Sequence, residues 1–285
     1  MDRIKRRAIR LKACVNSTQN LMPLTPLAQA FATNRLKNIR LVATDMDGTL
    51  TQHGKFTSAL LQSLEELAQA GIPVLIVTGR SAGWVDAVKT YLPVTGAIAE
   101  NGGLFYSCDR ELPETLTPIG DRILHRQQLA QTFHYLKTPF PQLQESADNR
   151  FRLTDWTFDV QGLTPAQLQQ LETLCLEQGW GFTYSNVQCH IKPLQQAKAT
   201  SLRQVLKQYF PQFTPEQILT VGDSPNDETL FDASQFPLSV GVANVLEYVE
   251  RLNHKPAYVT SKAEGEGFCE LAQFLLKSAA LCRDI

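Results

Sequence analysis

Leu41-Val42-Ala43-Thr44 runs straight into two carboxylates spaced two apart, Asp45 and Asp47, followed by Gly48 and Thr49. The run is too short for a helix and is closed by a turn signal, so it predicts a buried parallel strand. Open α/β sheets place their ligands at the carboxyl ends of such strands. Two aspartates held there repel one another unless a cation or a shared proton relieves them. A lone Asp-x-Asp would suit a wet strand end equally well, so the rest of the chain has to decide.

The same punctuation recurs. Leu60, Leu61, Leu64, Leu67 and Ala68 repeat at helical spacing, and Gly71 stops that helix. Ile72-Pro73-Val74-Leu75-Ile76-Val77 predicts a second buried strand ending in Thr78-Gly79-Arg80. Trp84, Val85, Val88 and Leu92 give another helical face, and Ala97-Ile98-Ala99 a third strand ending in Glu100-Asn101. Strand and helix alternating at this tempo predict an α/β fold, a doubly wound, Rossmann-like parallel sheet.

From about Tyr106 to Cys189 the rhythm changes to a more even alternation of polar and apolar residues. Residues 151–160 read as a strand with one wet face. Thr164, Pro165 and Gln167 form a capping box ahead of Leu168, Leu171, Leu174 and Cys175. Phe182-Thr183-Tyr184 and Val187 to Ile191 read as antiparallel strands joined at Ser185-Asn186. The block is an α+β insert with its own small core. The parallel pattern resumes with a helix from Lys198 and a strand Ile218-Leu219-Thr220-Val221 ending in Gly222-Asp223-Ser224-Pro225-Asn226-Asp227. A fifth strand is expected within Phe236 to Val242, then helices at Val245 to Leu252 and Phe268 to Ala279. The expected organisation is a basic, disordered leader over 1–36, a core over 37–106 and 190–285, and a cap over 107–189.

A formal net charge of -1 supplies no field to gather nucleic acid or an anionic membrane surface. No apolar run approaches the roughly 20 residues of a membrane span. The six cysteines are scattered without a Cys-x-x-Cys pair, which argues against a zinc cage and a disulfide framework and for a reducing, cytoplasmic setting. The basic start, Arg3 to Lys12, is followed by no apolar signal core.

Polar clusters therefore end four strands: Asp45/Asp47, Thr78/Gly79/Arg80, Glu100/Asn101 and Asp223/Asn226/Asp227. In a parallel sheet these ends share one rim, so residues far apart in sequence converge. Asp45, Asp47, Asp223 and Asp227 gathered near one point would repel strongly, and a hard cation resolves that. An all-oxygen set suits Mg²⁺, and no His or Cys stands at these ends to favour zinc.

The sequence resembles the haloacid dehalogenase superfamily of phosphohydrolases. Asp45-Met46-Asp47-Gly48-Thr49 matches its first motif, Thr78 its second, Lys198 its third, and Gly222 to Asp227 its fourth. The match covers essentially everything from Leu41 onward. The resemblance implies that Asp45 is the nucleophile, forming an aspartyl-phosphate, and that Asp47 is the general acid and then base. It implies a metal held by the Asp45 side chain, the Asp47 carbonyl and Asp223, with Asp227 close by. Thr78 and the Gly79 amide would bind the phosphoryl oxygens beside Lys198, and Asn226 would orient Lys198 or the phosphoryl group.

The position of the insert, after the third strand, resembles the Cof-type branch with a βα-rich cap. That branch includes sugar-phosphate, sucrose-phosphate, mannosyl-3-phosphoglycerate and phosphoglycolate phosphatases, and phosphomannomutases. The expectation is a Mg²⁺-dependent phosphatase of a small phosphorylated metabolite, a sugar phosphate or similar phosphomonoester. A phosphomutase, or a phosphoglycolate or mannosyl-3-phosphoglycerate phosphatase, is the alternative, and a non-catalytic binding protein fits least. Asn101 is expected to touch substrate, while Arg80 either reaches substrate or pairs with a carboxylate. His190 reads as a packed histidine or part of the cap junction, and Arg150 and Arg152 as ordinary strand-edge charges.

Overall fold

The computed structural model describes residues 24–281. Along the chain lie β1 (Thr25–Pro26), α1 (Leu27–Ala32), β2 (Leu41–Thr44), α2 (Ser58–Gln69), β3 (Val74–Val77), α3 (Ala82–Tyr91) and β4 (Gly96–Ala99). Then come β5 (Leu104–Ser107), β6 (Glu114–Thr115), α4 (Arg122–Lys137), β7 (Trp156–Asp159), α5 (Pro165–Glu177), β8 (Gly181–Tyr184) and β9 (Gln188–Lys192). The chain closes with α6 (Lys198–Tyr209), β10 (Ile218–Gly222), β11 (Ser239–Gly241), β12 (Tyr258–Val259) and α7 (Glu264–Leu281).

Nine strands form one sheet in the order β1-β12-β11-β10-β2-β3-β4-β5-β6, parallel except where β5 and β6 turn back at the edge. Its inner strands, from β11 across to β5, are buried on both faces, which is why most of them read as continuous apolar runs. Along β2, Val42 packs with Leu64, Leu67, Phe268 and Leu271, whereas Leu41 and Ala43 pack with Leu202 and Val205 of α6. The chain winds outward from β2 to one side and from β10 to the other. The switch point of the sheet therefore lies between β2 and β10, and Asp45 and Asp223 follow directly on these two neighbours.

A second, three-stranded antiparallel sheet, β7-β9-β8, packs against α4 and α5 around Leu129, Phe133, Phe158, Leu171 and Ile191. The capping box at Thr164 and Gln167 forms as its sequence predicts. In β9, Cys189 and Ile191 point into this core, so the alternate residues Gln188 and His190 face the large sheet.

Several boundaries differ from expectation. Residues 1–23 of the expected leader lie outside the described residues. Residues 24–36, however, add an edge strand and a helix, with Leu27, Ala30 and Leu36 buried. The cap expected over 107–189 starts later and ends later: Glu114–Thr115 pairs in the large sheet, and His190 to Lys192 belong to β9. The strand expected over 151–160 is only Trp156–Asp159. Ahead of it Ala147–Phe151 winds as a 3-10 turn, pinned by the Asn149 amide on the backbone of Thr157. Ala243–Glu247 is likewise a 3-10 turn rather than a helix.

Candidate active site

Asp45 is placed by the sheet itself: its N–H donates to the carbonyl of Val221 on the neighbouring strand at 2.9 Å. One carboxylate oxygen from each of Asp45, Asp223 and Asp227 lies within 4.8 Å of the others, and all three residues are buried. Lys198, fully buried at the start of α6, donates to Asp45 Oδ1 at 2.5 Å and to Asp227 Oδ1 at 2.6 Å. Burial opposes the ammonium charge, but Asp227 and Asp45 outweigh it and raise the lysine above its ordinary value.

One lysine does not balance three carboxylates. Burial, with Asp227 close by, pushes Asp45 up to about 7 against the pull of Lys198. Asp223 is pushed well above the usual carboxylate range by burial and by Asp45 and Asp227. The surplus negative charge, the purely oxygen donors and the tight spacing fit a hard divalent cation. The two oxygens of Asp227 are already engaged, one by Lys198 and the other by the N–H groups of Asp223 and Ser224. Asp45 and Asp223 are thus the more available ligands, and Asp227 braces the loop. Asn244 donates from one nitrogen to Asp223 Oδ2 and to the carbonyl of Gly48, at 2.8 and 3.0 Å. Nothing in the sequence marks Asn244 as the residue that holds Asp223.

Gly48 has φ +79°, and a Cβ there would meet Asp223 Oδ2 at 2.5 Å and Asn186 Nδ2 at 2.9 Å. Both the backbone conformation and the contact require glycine. The motif residue Thr78 is buried at the end of β3, and its Oγ1 accepts the Arg80 N–H at 3.1 Å. That leaves the hydroxyl proton of Thr78 available as a donor. Arg80 turns to Asp47, donating from Nε to Oδ2 at 2.8 Å and from a terminal nitrogen to Oδ1 at 2.6 Å, and lies over the Trp84 ring. Of the two readings of Arg80, this arrangement realises the carboxylate pair, not a free substrate contact.

Asn226 donates to Asn101 Oδ1 and accepts from Ser224; of the two roles expected of it, orienting Lys198 or the phosphoryl group, no hydrogen bond to Lys198 accompanies these among the described residues. Glu100 and Asn101 both take left-handed backbone conformations, with φ 54°. Such strain at consecutive non-glycine residues persists only when the surroundings enforce it. Here Asn101 N–H donates to the Thr78 carbonyl, and Glu100 is locked by its own carboxylate. That carboxylate accepts from the N–H groups of Ala82, Leu153 and Thr154 and from the Thr154 hydroxyl. It thereby ties the core to the segment entering the cap. The Asn101 side-chain nitrogen is buried without a partner among the described residues.

Arg152 carries a second tie. Its side chain is fully buried and donates to the Gly79 carbonyl at 2.9 Å, to both oxygens of Asp155, to Asp148 and to Gln188. It is not the strand-edge charge that its neighbours in sequence suggest. The strand-end rim and the cap hairpin together border a cavity of about 10 Å³. Its walls are Asp45, Asp47, Gly79, Arg80 and Asn226 from the core, and Ser185, Val187, Gln188 and His190 from the cap.

The chain resembles known proteins over most of its length. A family model for sucrose-6F-phosphate phosphohydrolase matches residues 38–274. A phosphoglycolate phosphatase of Methanothrix thermoacetophila is 31% identical over 237 residues, spanning 82% of this chain and 95% of that one. A phosphoglycolate phosphatase of Methanothermobacter thermautotrophicus is 27% identical over 236 residues, 81% of this chain and 96% of its own. Among solved structures, the sucrose-phosphatase of Synechocystis sp. PCC6803 superposes with a TM-score of 0.61 at 18% identity, covering 82% of this chain and 97% of that one. Thermoplasma acidophilum 0175 gives 0.67 at 21%, over 84% and 99%. The folds agree with the doubly wound core described above. The chain belongs to the sucrose-6F-phosphate phosphohydrolase family, within the haloacid dehalogenase superfamily, and is a phosphoric monoester hydrolase.

Proposed function

We propose that the protein is a Mg²⁺-dependent phosphatase of a small phosphorylated metabolite, a sugar phosphate or similar phosphomonoester, working through an aspartyl-phosphate. The observation that carries this reading is the cluster of Asp45, Asp223 and Asp227 around Lys198 at the sheet's switch point, opening on a cavity shared with the cap. The metal would be held by Asp45 and Asp223, with Asp227 behind them, and would neutralise charge on the phosphoryl oxygens.

Asp45 attacks phosphorus through a carboxylate oxygen; the Asp45 O–P bond forms as the ester P–O bond breaks. The departing ester oxygen takes its proton from a protonated Asp47, one oxygen of which keeps its Arg80 contact while the other turns to the ester. Asp47 then accepts a proton from water as that water attacks the phosphorus, which regenerates Asp45 and releases inorganic phosphate. Thr78 Oγ1 and the Gly79 N–H donate to the phosphoryl oxygens, and Lys198 adds fixed positive charge that needs no rearrangement during the reaction. Asn101 and Asn226 stand beside this group as amide donors.

The experiment is hydrolysis of 4-nitrophenyl phosphate by the wild type and Asp45→Asn, with Mg²⁺ and with a chelator. Phosphate release that needs both Mg²⁺ and Asp45 is the expected result. Release that ignores the chelator, or survives Asp45→Asn unchanged, overturns the assignment.

A further inference from the structure

The names of the relatives point in two chemical directions, toward a carboxylate-bearing phosphoglycolate and toward hydroxyl-rich sugar phosphates. One wall of the cavity distinguishes them. His190 is nearly fully buried, faces the cavity from β9, and bonds through Nδ1 to Asp155 Oδ2 at 2.8 Å. Asp155 is completely buried and is held at both oxygens by the guanidinium of Arg152, at 2.9 and 3.0 Å.

This fixes the histidine tautomer. Burial works against a charged Asp155, but Arg152 and the His190 hydrogen bond prevail and keep the carboxyl below its ordinary value. An ionised Asp155 has no proton to give, so the proton in the Nδ1 bond belongs to the imidazole. Burial, with the cations Arg152 and Lys198 nearby, holds the ring below the usual histidine value, hence neutral. Nε2 is then a lone-pair acceptor, and no hydrogen bond satisfies it among the described residues. The ring lies against the phosphate loop: a Cβ on Gly79 would sit 3.1 Å from His190 Cε1.

We propose that His190 determines specificity by accepting a hydrogen bond from a substrate hydroxyl next to the ester carbon, so that preferred substrates are phosphomonoesters of polyols or sugars. This deepens the phosphatase reading and rests on it. A carboxylate in the same place would set its own lone pairs against that of Nε2. Arg152 and Asp155 are positioning residues, acting through the tautomer they impose.

The test compares kcat/KM for propane-1,2-diol 1-phosphate, propyl phosphate and 2-phosphoglycolate, all with Mg²⁺. The first two differ by one hydroxyl. In the wild type the diol phosphate is preferred to propyl phosphate by about tenfold, the size of one buried hydrogen bond, and 2-phosphoglycolate is disfavoured. In His190→Phe the ratio falls to about one, and in His190→Gln, whose amide oxygen approaches the place of Nε2, much of it returns. Each ratio is taken within one protein, so a loss of folded material cancels. A wild-type ratio near one, a preference for 2-phosphoglycolate, or a ratio unmoved in His190→Phe overturns the inference while 4-nitrophenyl phosphate is still hydrolysed. A wild type that releases phosphate from none of the four compounds overturns the phosphatase reading as well.

Discussion

The guanidinium of Arg80 forks onto the carboxylate of Asp47, with contacts of 2.8 and 2.6 Å to its two oxygens. A planar bidentate pair fixes the direction of a carboxylate as well as its distance. Arg80→Gln therefore lowers kcat for 4-nitrophenyl phosphate by about tenfold to a hundredfold, because proton transfer depends on the aim of Asp47. The pair is partly exposed, so its thermal cost is small, and the melting temperature stays within a few degrees of wild type. Steady-state kinetics beside a melting curve separates these effects; a large loss of stability with unchanged kcat would refute the role.

Removing a charge from the buried acid cluster trades activity for stability. Asp45→Asn abolishes turnover, by a factor of about 10³ or more. In a chelator it melts at a higher temperature than the wild type, since Lys198 keeps Asp227 and the three-carboxylate repulsion is relieved. Added Mg²⁺ then raises the wild-type melting temperature more than that of Asp45→Asn, because binding to the folded state alone stabilises it. Differential scanning fluorimetry with and without Mg²⁺ reads both shifts.

Glu100→Ala strips the acceptor from the N–H groups of Ala82, Leu153 and Thr154 at once. Each buried donor left unpaired costs about 1–3 kcal/mol. The carboxylate is itself costly to bury, and burial, with Asp155 nearby, raises its pKa, which offsets part of that loss. The net expectation is a destabilisation of about 3 kcal/mol, read by urea unfolding. A change below about 1 kcal/mol would show that the tie between core and cap is slack.

His190 also leaves a signature in acid. Its folded pKa is depressed by burial, so its neutral form favours the folded state above the unfolded value of 6.5, and that contribution is lost as pH falls below 6.5 toward the lower folded value. Wild-type stability should therefore drop more between pH 7 and pH 5 than that of His190→Gln. Parallel slopes in unfolding experiments across this range would refute a neutral buried imidazole.

The sequence shows the reactive rim clearly because each part of it is local: an apolar strand run, then Asp45 and Asp47, Thr78, or Asp223 to Asp227. Parallel strands bring those ends together by topology alone, so residues 153 positions apart, such as Asp45 and Lys198, meet at hydrogen-bond distance. Arg152, Asp155 and Glu100 were illegible for the opposite reason. Their roles arise from pairings across the junction of two units, and nothing in the string 150–155 distinguishes a buried clasp from a wet strand edge. The helix Arg122–Lys137 carried a readable sign, an Asp121 N-cap with Leu129, Phe133 and Leu136 at helical spacing, yet its polar flanks blurred the period. The two-residue strands β1 and β12 are too short to leave any periodicity.

The cavity under the cap hairpin, at about 10 Å³, has room for roughly one water molecule. On the proposed function, the hairpin over 181–192 would have to shift to admit a phosphomonoester to Asp45 and again to release phosphate. On that reading the bonds of Glu100 and Arg152 across the junction would govern how readily the site opens, so a tighter junction would trade speed of exchange for exclusion of water and other acceptors.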